Sequence, residues 1–312
     1  MDTVLLDYEL PEGLIAQRPP ARRDDSRLLV YRRSTGRIEH RVFAEFPDLL
    51  SGELVVVNDT RVRHGRLLLR RATGGAVEVL LVEELEDGLW EGLARPTRRL
   101  RVGERLGPVE LVQSLGDGRW LLRLEGSGEG EVPLPPYIHE RLSDPERYQT
   151  VYADELGSAA APTAGLHFTP ELLSQFDHVA ITLHVGLDTF RPLAGDRLED
   201  HVLHGERYRV KQEAWERVAS APRVLAVGTT TVRTLETVIR SGELLGRTDL
   251  FITPGFEFVR VDALLTNFHL PRSSLLALVM AFVGVEQTHE IYRAAIAERY
   301  RFYSFGDAML VL

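Results

Sequence analysis

Apolar residues change their spacing twice along the chain, and the changes mark three regions. From Ser26 to Val57 they come in short dense runs. SRLLVYR (26–32) and GRIEHR (36–41) read as extended, with a turn at Ser34-Thr35-Gly36. ELVVV (53–57) is continuously apolar, the pattern of a strand buried on both faces. It ends in Asn58-Asp59-Thr60-Arg61, polar groups at a strand's carboxyl end, where open α/β sheets place ligands. Upstream, Asp7–Leu10 followed by Pro11 and LIAQ predicts a short helix, broken at Arg18-Pro19-Pro20.

From about Val62 to Pro136 the spacing alternates. RLLLRR, AVEVLLVEEL, LWEGLARP, VELVQSL and RWLLRLEG are punctuated by Gly74-Gly75, Asp87-Gly88 and Asp117-Gly118. Asp-Gly between alternating runs signals a hairpin. No ten-residue helical pattern intervenes, so an antiparallel β-barrel or small sandwich is expected. Leu134-Pro135-Pro136-Tyr137 and the polar stretch to Tyr152 lead back. Beyond it strands and helices alternate. Thr169 caps a helix with Pro170 at its first position. Val179, Ile181, Leu183 and Val185 share one strand face, leaving Thr182 and His184 on the other. Arg223–Val227 turns at Gly228-Thr229-Thr230-Thr231 into a helix that stops at Gly242. A strand at Ala263–Thr266, an apolar helix to Val283, an amphipathic helix at Glu286–Glu298 and a strand at Ala308–Leu312 follow. The expected fold class is α/β: a mixed-sheet α/β domain (1–61 and 151–312) interrupted by an inserted antiparallel β-barrel domain (62–150).

Composition narrows the function. Hydrophobic residues at 44% and charged residues at 27% are those of an ordinary globular chain. The longest apolar run, Leu275–Val285, falls short of the ~20 residues a membrane helix needs. The first residues lack the basic-then-apolar order of a signal peptide, so a cytoplasmic location is expected. With no cysteine there is no disulfide, thiolate nucleophile or thiolate metal site. The net charge of −9 argues against indiscriminate nucleic-acid binding. The basic residues, however, are nearly all arginine, with Lys211 the single lysine. Arginine grips phosphate at two points and stacks on bases. Arg95, Arg98, Arg99, Arg101 and Arg105 form a dense run in the expected barrel, suited about equally to RNA phosphate or to a solvated loop, and the first four are the leading RNA-binding candidates. There are only two asparagines, Asn58 and Asn267.

The stretch from Ala159 to Glu206 holds five of the ten histidines: His167, His178, His184, His201 and His204. Histidine titrates near neutrality and carboxylates orient it, which suits proton transfer or metal binding. Any one of them alone is more often a hydrogen-bonded structural residue. Their grouping, with Asp200 and Glu206 flanking the last pair, makes His184, His204 and Glu206 the leading catalytic candidates, with His167, His201 and His269 behind them. The Gly228–Thr231 junction offers free backbone N–H groups and three hydroxyls to a carboxylate or phosphate. Simple helix capping accounts for it equally well. It lacks the lysine of a nucleotide-triphosphate loop, and no GxGxxG follows any strand.

The runs NDTRV, RYQTVYA, AAPTAGLHFT, TLHVGLDTFRP, DHVLHGE, AVGTTTVR, TNFHLP and YRFYSFGDAML, in that order, closely resemble one family. It is the S-adenosylmethionine:tRNA ribosyltransferase-isomerase of queuosine biosynthesis, and the likeness runs from Asp7-Tyr8-Glu9-Leu10-Pro11 to the end. Eight motifs in order are far more specific than one. The chain departs from the pattern at Asp188, where the family usually has glycine, at Leu203 in place of methionine, and at Arg63-His64-Gly65-Arg66-Leu67 in place of IPARL. Asp188 adds a carboxylate beside the expected site.

The resemblance implies an α/β domain interrupted by a β-barrel. It also implies ribosyl transfer from S-adenosylmethionine as co-substrate to the aminomethyl arm of a 7-deazaguanine at the tRNA wobble position. Adenine and methionine leave and the sugar becomes an epoxycyclopentane, giving epoxyqueuosine-tRNA; no metal is required. The partner is tRNA carrying 7-aminomethyl-7-deazaguanine, there is no membrane partner, and a monomer is expected. The chemistry needs a base for the acidic proton beside the sulfonium, an acid for adenine, a neutral amine and exclusion of water. On this footing the histidine cluster transfers protons. Gly228, Thr229, Thr230 and Thr231 seat the methionine carboxylate with help from Arg233. Asn267, His269, Asp59 and Arg61 complete the expected substrate-binding set. Two other functions fit parts of the sequence. One is a metal-dependent hydrolase with His184, His201, His204 and Glu206 as ligands, although no HExxH spacing appears. The other is a non-catalytic RNA-binding module, which leaves the histidines without a purpose and fits the acidity poorly.

Overall fold

Continuous apolar strands make the centre of a nine-stranded mixed sheet. Its order is Leu245–Thr248, Glu206–Arg209, His178–Leu183, Leu54–Asn58, Val224–Val227, Ala263–Asn267, Ala308–Val311, Arg27–Arg32 and Arg37–Val42. The chain was analysed as a computed structural model, which describes residues 2–86, 88–126, 128, 130–186, 197–198, 201 and 205–312. The four strands from His178–Leu183 to Ala263–Asn267 run parallel, so their carboxyl ends line one edge.

Alternation within these strands feeds two cores. Leu54, Val56, Val224, Ala226 and Leu264 pack with Val218, Val232, Leu235 and Leu276 of the helices on one face. Val55, Val57, Leu225, Val227 and Leu265 meet Phe43, Phe46, Phe168 and Leu172 on the other. Burial on both faces is why ELVVV shows no polar alternation. The helices fall as their patterns predict: Thr229–Ser241 ends at Gly242 in the left-handed conformation, and Ser273 caps Ser274–Val283 through its hydroxyl. The expected helix at Asp7–Leu10 is not formed; short 3-10 turns at Thr3–Leu6 and Glu12–Leu14 flank an extended segment. Pro11 disfavours helix at Leu10. Tyr8 meanwhile lies edge-on to Tyr292 at 5.1 Å and donates to the His269 carbonyl.

The alternating region forms a second, antiparallel sheet of six strands. Its order is Arg66–Arg70, Ala76–Glu86, Leu89–Arg95, Arg119–Leu124, Val109–Gly116 and Arg105–Leu106. One face encloses its own core around Trp90, Trp120, Val79 and Leu111. The sheet curls like a barrel, and the Arg71 guanidinium bridges its two ends by a two-point contact with Glu104 at 2.6 and 3.0 Å. The chain enters and leaves this sheet through a two-stranded parallel ribbon, Thr60–Val62 beside Glu155–Ser158. Among the described residues no helix is long and apolar enough to cross a membrane.

Candidate active site

The carboxyl edge of the parallel strands is tied together by Asn58. Its amide nitrogen donates to the Leu183 carbonyl at 3.0 Å and to Thr230 Oγ1 at 3.3 Å. Its oxygen accepts the backbone N–H of Leu183 at 3.0 Å and of Thr60 at 3.2 Å. One fully buried side chain thus fixes two strand ends and the first turn of the helix Thr229–Ser241. The second asparagine, Asn267, ends its own strand the same way, donating to the Tyr303 carbonyl at 3.1 Å. Both asparagines of the chain therefore stand at this edge.

His184 follows its strand directly and lies with Thr182 on the polar side, as the alternation predicts. Its Nδ1 is 2.8 Å from Thr60 Oγ1. The Thr60 hydroxyl can itself donate to the Glu155 carbonyl at 3.5 Å. With the hydroxyl proton on the Glu155 carbonyl, Thr60 Oγ1 accepts from Nδ1–H and the Nε2 lone pair is left free; with that proton on Nδ1 the roles reverse. Burial, and then the charge of Arg207, lower the His184 pKa below its ordinary value; Arg63 acts in the same sense, and Glu155 and Glu83 oppose it. The imidazole is therefore neutral at physiological pH. Asp59, one residue from Asn58, is buried and accepts from Thr182 Oγ1 at 2.6 Å. Burial raises its carboxyl pKa.

His184 borders a cavity of about 180 Å³ between the two sheets. Glu83 and Gly92 of the inserted sheet close one side, Phe251, Leu275 and Leu278 form an apolar wall, and Glu206 and Arg233 lie at its floor. The Arg233 guanidinium pairs with Glu206 and donates to the carbonyls of Leu250 at 3.0 Å and Thr248 at 3.1 Å. Glu206 also accepts the Gly186 N–H at 2.7 Å. Arg233 is thus committed to Glu206, not to an anion at the helix mouth, and Glu206 is a held counter-charge. Glu83 reaches across the cavity rim to Arg247 at 2.8 Å and Arg207 at 3.2 Å, joining the inserted sheet to the mixed one.

A smaller cavity of about 60 Å³ shares the Val185 and Leu275 walls. It is lined by the N-terminus of Thr229–Ser241, which has no side-chain cap among the described residues, by His269, and by Asn267, whose buried Oδ1 has no hydrogen-bond partner among them. Gly228 begins the helix at φ +86°, a backbone conformation that favours glycine. Of the three threonines, Thr231 bonds back to the Val227 carbonyl at 2.7 Å and Thr230 accepts from Asn58.

The other expected residues are dispersed. His167 is buried between Ser26 (2.8 Å) and Asn267 (3.3 Å), packs on Phe43, and has its pKa pushed down to about 3 by burial. His269 is likewise lowered to about 3, its Nε2 bonded to Thr266 Oγ1 at 2.8 Å. His178 lies at the opposite end of its strand. The His201 ring sits edge-on to Phe251. Arg61 points away from His184 to pair with Glu146 at 2.7 Å, because successive strand residues face opposite sides. His204, Asp188, Asp200 and Leu203 lie outside the described residues. Among the described residues no three His, Asp or Glu side chains converge as a metal site, and His184 and Glu206 are held in separate hydrogen bonds. Arg95, Arg98, Arg99 and Arg101 are exposed around the turn Thr97–Arg99, with no side-chain salt bridge to any described residue. Arg95 also borders a groove of about 840 Å³ between the inserted sheet and the Pro133–Leu142 link. The sequence marked Asn58 and Thr60 as polar groups at a strand's carboxyl end without showing what each holds, and gave no sign of Gly157 or Glu83 as site-builders.

The chain is similar to known proteins over nearly its whole length. Residues 3–311 match the family model described as queuosine biosynthesis protein. The S-adenosylmethionine:tRNA ribosyltransferase-isomerase of Rubrobacter xylanophilus is 52% identical, covering 100% of this chain and 98% of the relative. That of Carboxydothermus hydrogenoformans is 50% identical, covering 98% of each. The crystal structure of S-adenosylmethionine tRNA ribosyltransferase from Thermotoga maritima aligns with a TM-score of 0.59 at 40% identity, over 99% of this chain and 100% of that one. The chain belongs to the S-adenosylmethionine:tRNA ribosyltransferase-isomerase family of queuosine biosynthesis proteins.

Proposed function

We propose that the chain transfers the ribosyl group of S-adenosylmethionine to 7-aminomethyl-7-deazaguanine in the tRNA wobble position and isomerises it, giving epoxyqueuosine-tRNA, adenine and methionine. The observation that carries this is the pair of adjoining cavities at the strands' carboxyl edge. One presents a neutral imidazole, the other an open helix mouth. The reaction needs both a proton acceptor and a seat for an amino-acid tail.

In this reading His184 Nε2 takes the acidic proton beside the sulfonium. A neutral imidazole beside an apolar wall is suited to that step, since its lone pair is ready without prior deprotonation. Adenine departs with the electrons of its glycosidic bond and takes up a proton, the C–S bonding electrons leave with methionine, and the amine forms the new bond to the sugar as it gives up a proton. The N–H groups of the Thr229–Thr231 turn receive the methionine carboxylate, where the positive end of the helix dipole favours an anion. Asn267 Oδ1, an unused buried acceptor, suits the adjacent ammonium. His269 stays neutral and shapes this cavity, and His167 supports it from behind. His204 remains a second candidate for acid or base. The Arg233–Glu206 pair keeps the floor of the larger cavity polar. The inserted sheet, with Arg95, Arg98, Arg99 and Arg101 outward, grips the tRNA backbone. The separate cores of the two sheets support the division into 1–61 with 151–312 and 62–150. The enzyme acts as a cytoplasmic monomer.

The test is incubation with S-adenosylmethionine and tRNA bearing the aminomethyl deazaguanine. Adenine and methionine should appear together, only with the modified tRNA. S-adenosylhomocysteine and a methylated RNA would overturn the proposal.

A further inference from the structure

The ribbon that connects the two sheets also encloses the imidazole of His184. Thr60 lies on the outgoing strand and Gly157 on the returning one, in parallel pairing with a register irregularity between Leu156 and Ser158. Thr60 is fully buried and holds Nδ1 at 2.8 Å. Gly157 presses on the ring from another side. A Cβ there would lie 2.7 Å from Cε1 and 2.9 Å from both ring nitrogens, closer than any side chain tolerates. The backbone N–H of His184 is bonded to the Arg207 carbonyl at 2.9 Å, so the residue cannot retreat freely along its strand. Ser158 adds a further tie by accepting the Val185 N–H at 2.9 Å.

We infer that Thr60 and Gly157 are positioning residues for His184: the connecting ribbon fixes the ring's plane and tautomer so that Nε2 carries the lone pair turned to the cavity. This rests on His184 being the base, but it makes a claim about the free protein that can be read without turnover. Thr60 supplies a specific acceptor to Nδ1–H, and Gly157 supplies the absence of a side chain, which only glycine can. A ring released from either restraint would populate the other tautomer or turn its plane. Misplacement on the scale of an ångström is enough to cost a proton transfer about a hundredfold in rate.

The experiment is nitrogen-15 NMR of the His184 ring in the substrate-free full chain at pH 8, with single-turnover adenine release measured on the same samples. Wild type should show Nδ1 protonated and Nε2 bare. Thr60→Val should mix the tautomers and slow adenine release at least about tenfold with S-adenosylmethionine affinity kept, and Thr60→Ser should restore both. Gly157→Ala should slow release comparably and shift the ring signals. An unchanged tautomer with wild-type release in both Thr60→Val and Gly157→Ala, or a wild-type ring protonated at Nε2, would overturn the inference. If His184→Ala keeps its activity while the tautomer follows Thr60, the positioning stands and the assignment of the base fails.

Discussion

The two sheets differ in how many faces they bury, and in the proposed function that difference divides catalysis from tRNA grip. Every residue of Leu54–Asn58 and Ala263–Asn267 is buried, with packed side chains above and below. Groups at the end of such strands are held firmly in place, as the four hydrogen bonds of Asn58 illustrate. The inserted strand Ala76–Glu86 instead alternates buried with half-buried positions and finishes in the exposed Glu84-Leu85-Glu86. A sheet with one dry face leaves its other face and its turns free for a partner. In the proposed reading, proton chemistry falls at the ends of doubly buried strands and tRNA contact on the exposed turns of the inserted sheet.

The comparison can be broken most sharply at the Arg233–Glu206 pair, which belongs to the rigid region. Removing one member of a buried ion pair strands the other, at a cost of about 3–5 kcal/mol. Arg233→Met should lower unfolding stability by that order and also leave the Thr248 and Leu250 carbonyls unpaired. Chemical denaturation measures this, and a loss near zero would show that the floor of the cavity is wetter than its burial indicates. Next comes acid. His167 and His269 are held near 3 by burial, while the unfolded chain titrates them near 6.5. Their contribution is fully present above pH 6.5 and is lost as pH falls towards 3, at about 1.4 kcal/mol per pH unit for each. Urea unfolding between pH 7 and 5 should show this slope, and His167→Gln should flatten it.

The inserted sheet responds differently. Replacing Arg95, Arg98, Arg99 and Arg101 with alanine should leave the melting temperature unchanged but weaken tRNA binding and reduce the magnitude of the slope of log K against log salt by roughly 0.7 per lost phosphate contact. Equal affinity at low salt would show these arginines to be solvent-facing only. The smallest expected effect is on the pH profile. Arg207 depresses the His184 pKa after burial does, so Arg207→Gln should raise that pKa and move the acidic limb of turnover to higher pH. Base function is lost as pH falls through the pKa, so the direction is fixed by the sign of the charge removed.

Most strands were legible because a continuous or alternating apolar run buries its side chains well only when extended in a sheet. Hairpins were marked by Asp117-Gly118 and Gly74-Gly75, and the open helix mouth by Gly228 and its threonines. The helix expected at Asp7–Leu10 failed because Tyr8 is drawn onto Tyr292 and His269, more than 250 residues away. The grip on His184 was illegible for the same reason. Thr60 and His184 are 124 positions apart, and a glycine such as Gly157 within a short strand looks like a turn until the ring it faces is known. Arg233 lies on its helix as expected, but the sequence does not show that Glu206 returns beneath it and pairs with it. Local chemistry was readable, whereas long-range pairing was not.

If His184 performs proton transfer at the edge of the mixed sheet, as proposed, its removal must show in single-turnover adenine release at saturating S-adenosylmethionine and modified tRNA, compared between wild type and His184→Ala. Loss of a general base lowers the rate by ~10²–10⁴-fold. A fall of at least about a hundredfold is predicted, with melting temperature and S-adenosylmethionine affinity close to wild type. Near-normal release by a folded, ligand-binding His184→Ala enzyme would contradict the claim and move the base elsewhere on the chain.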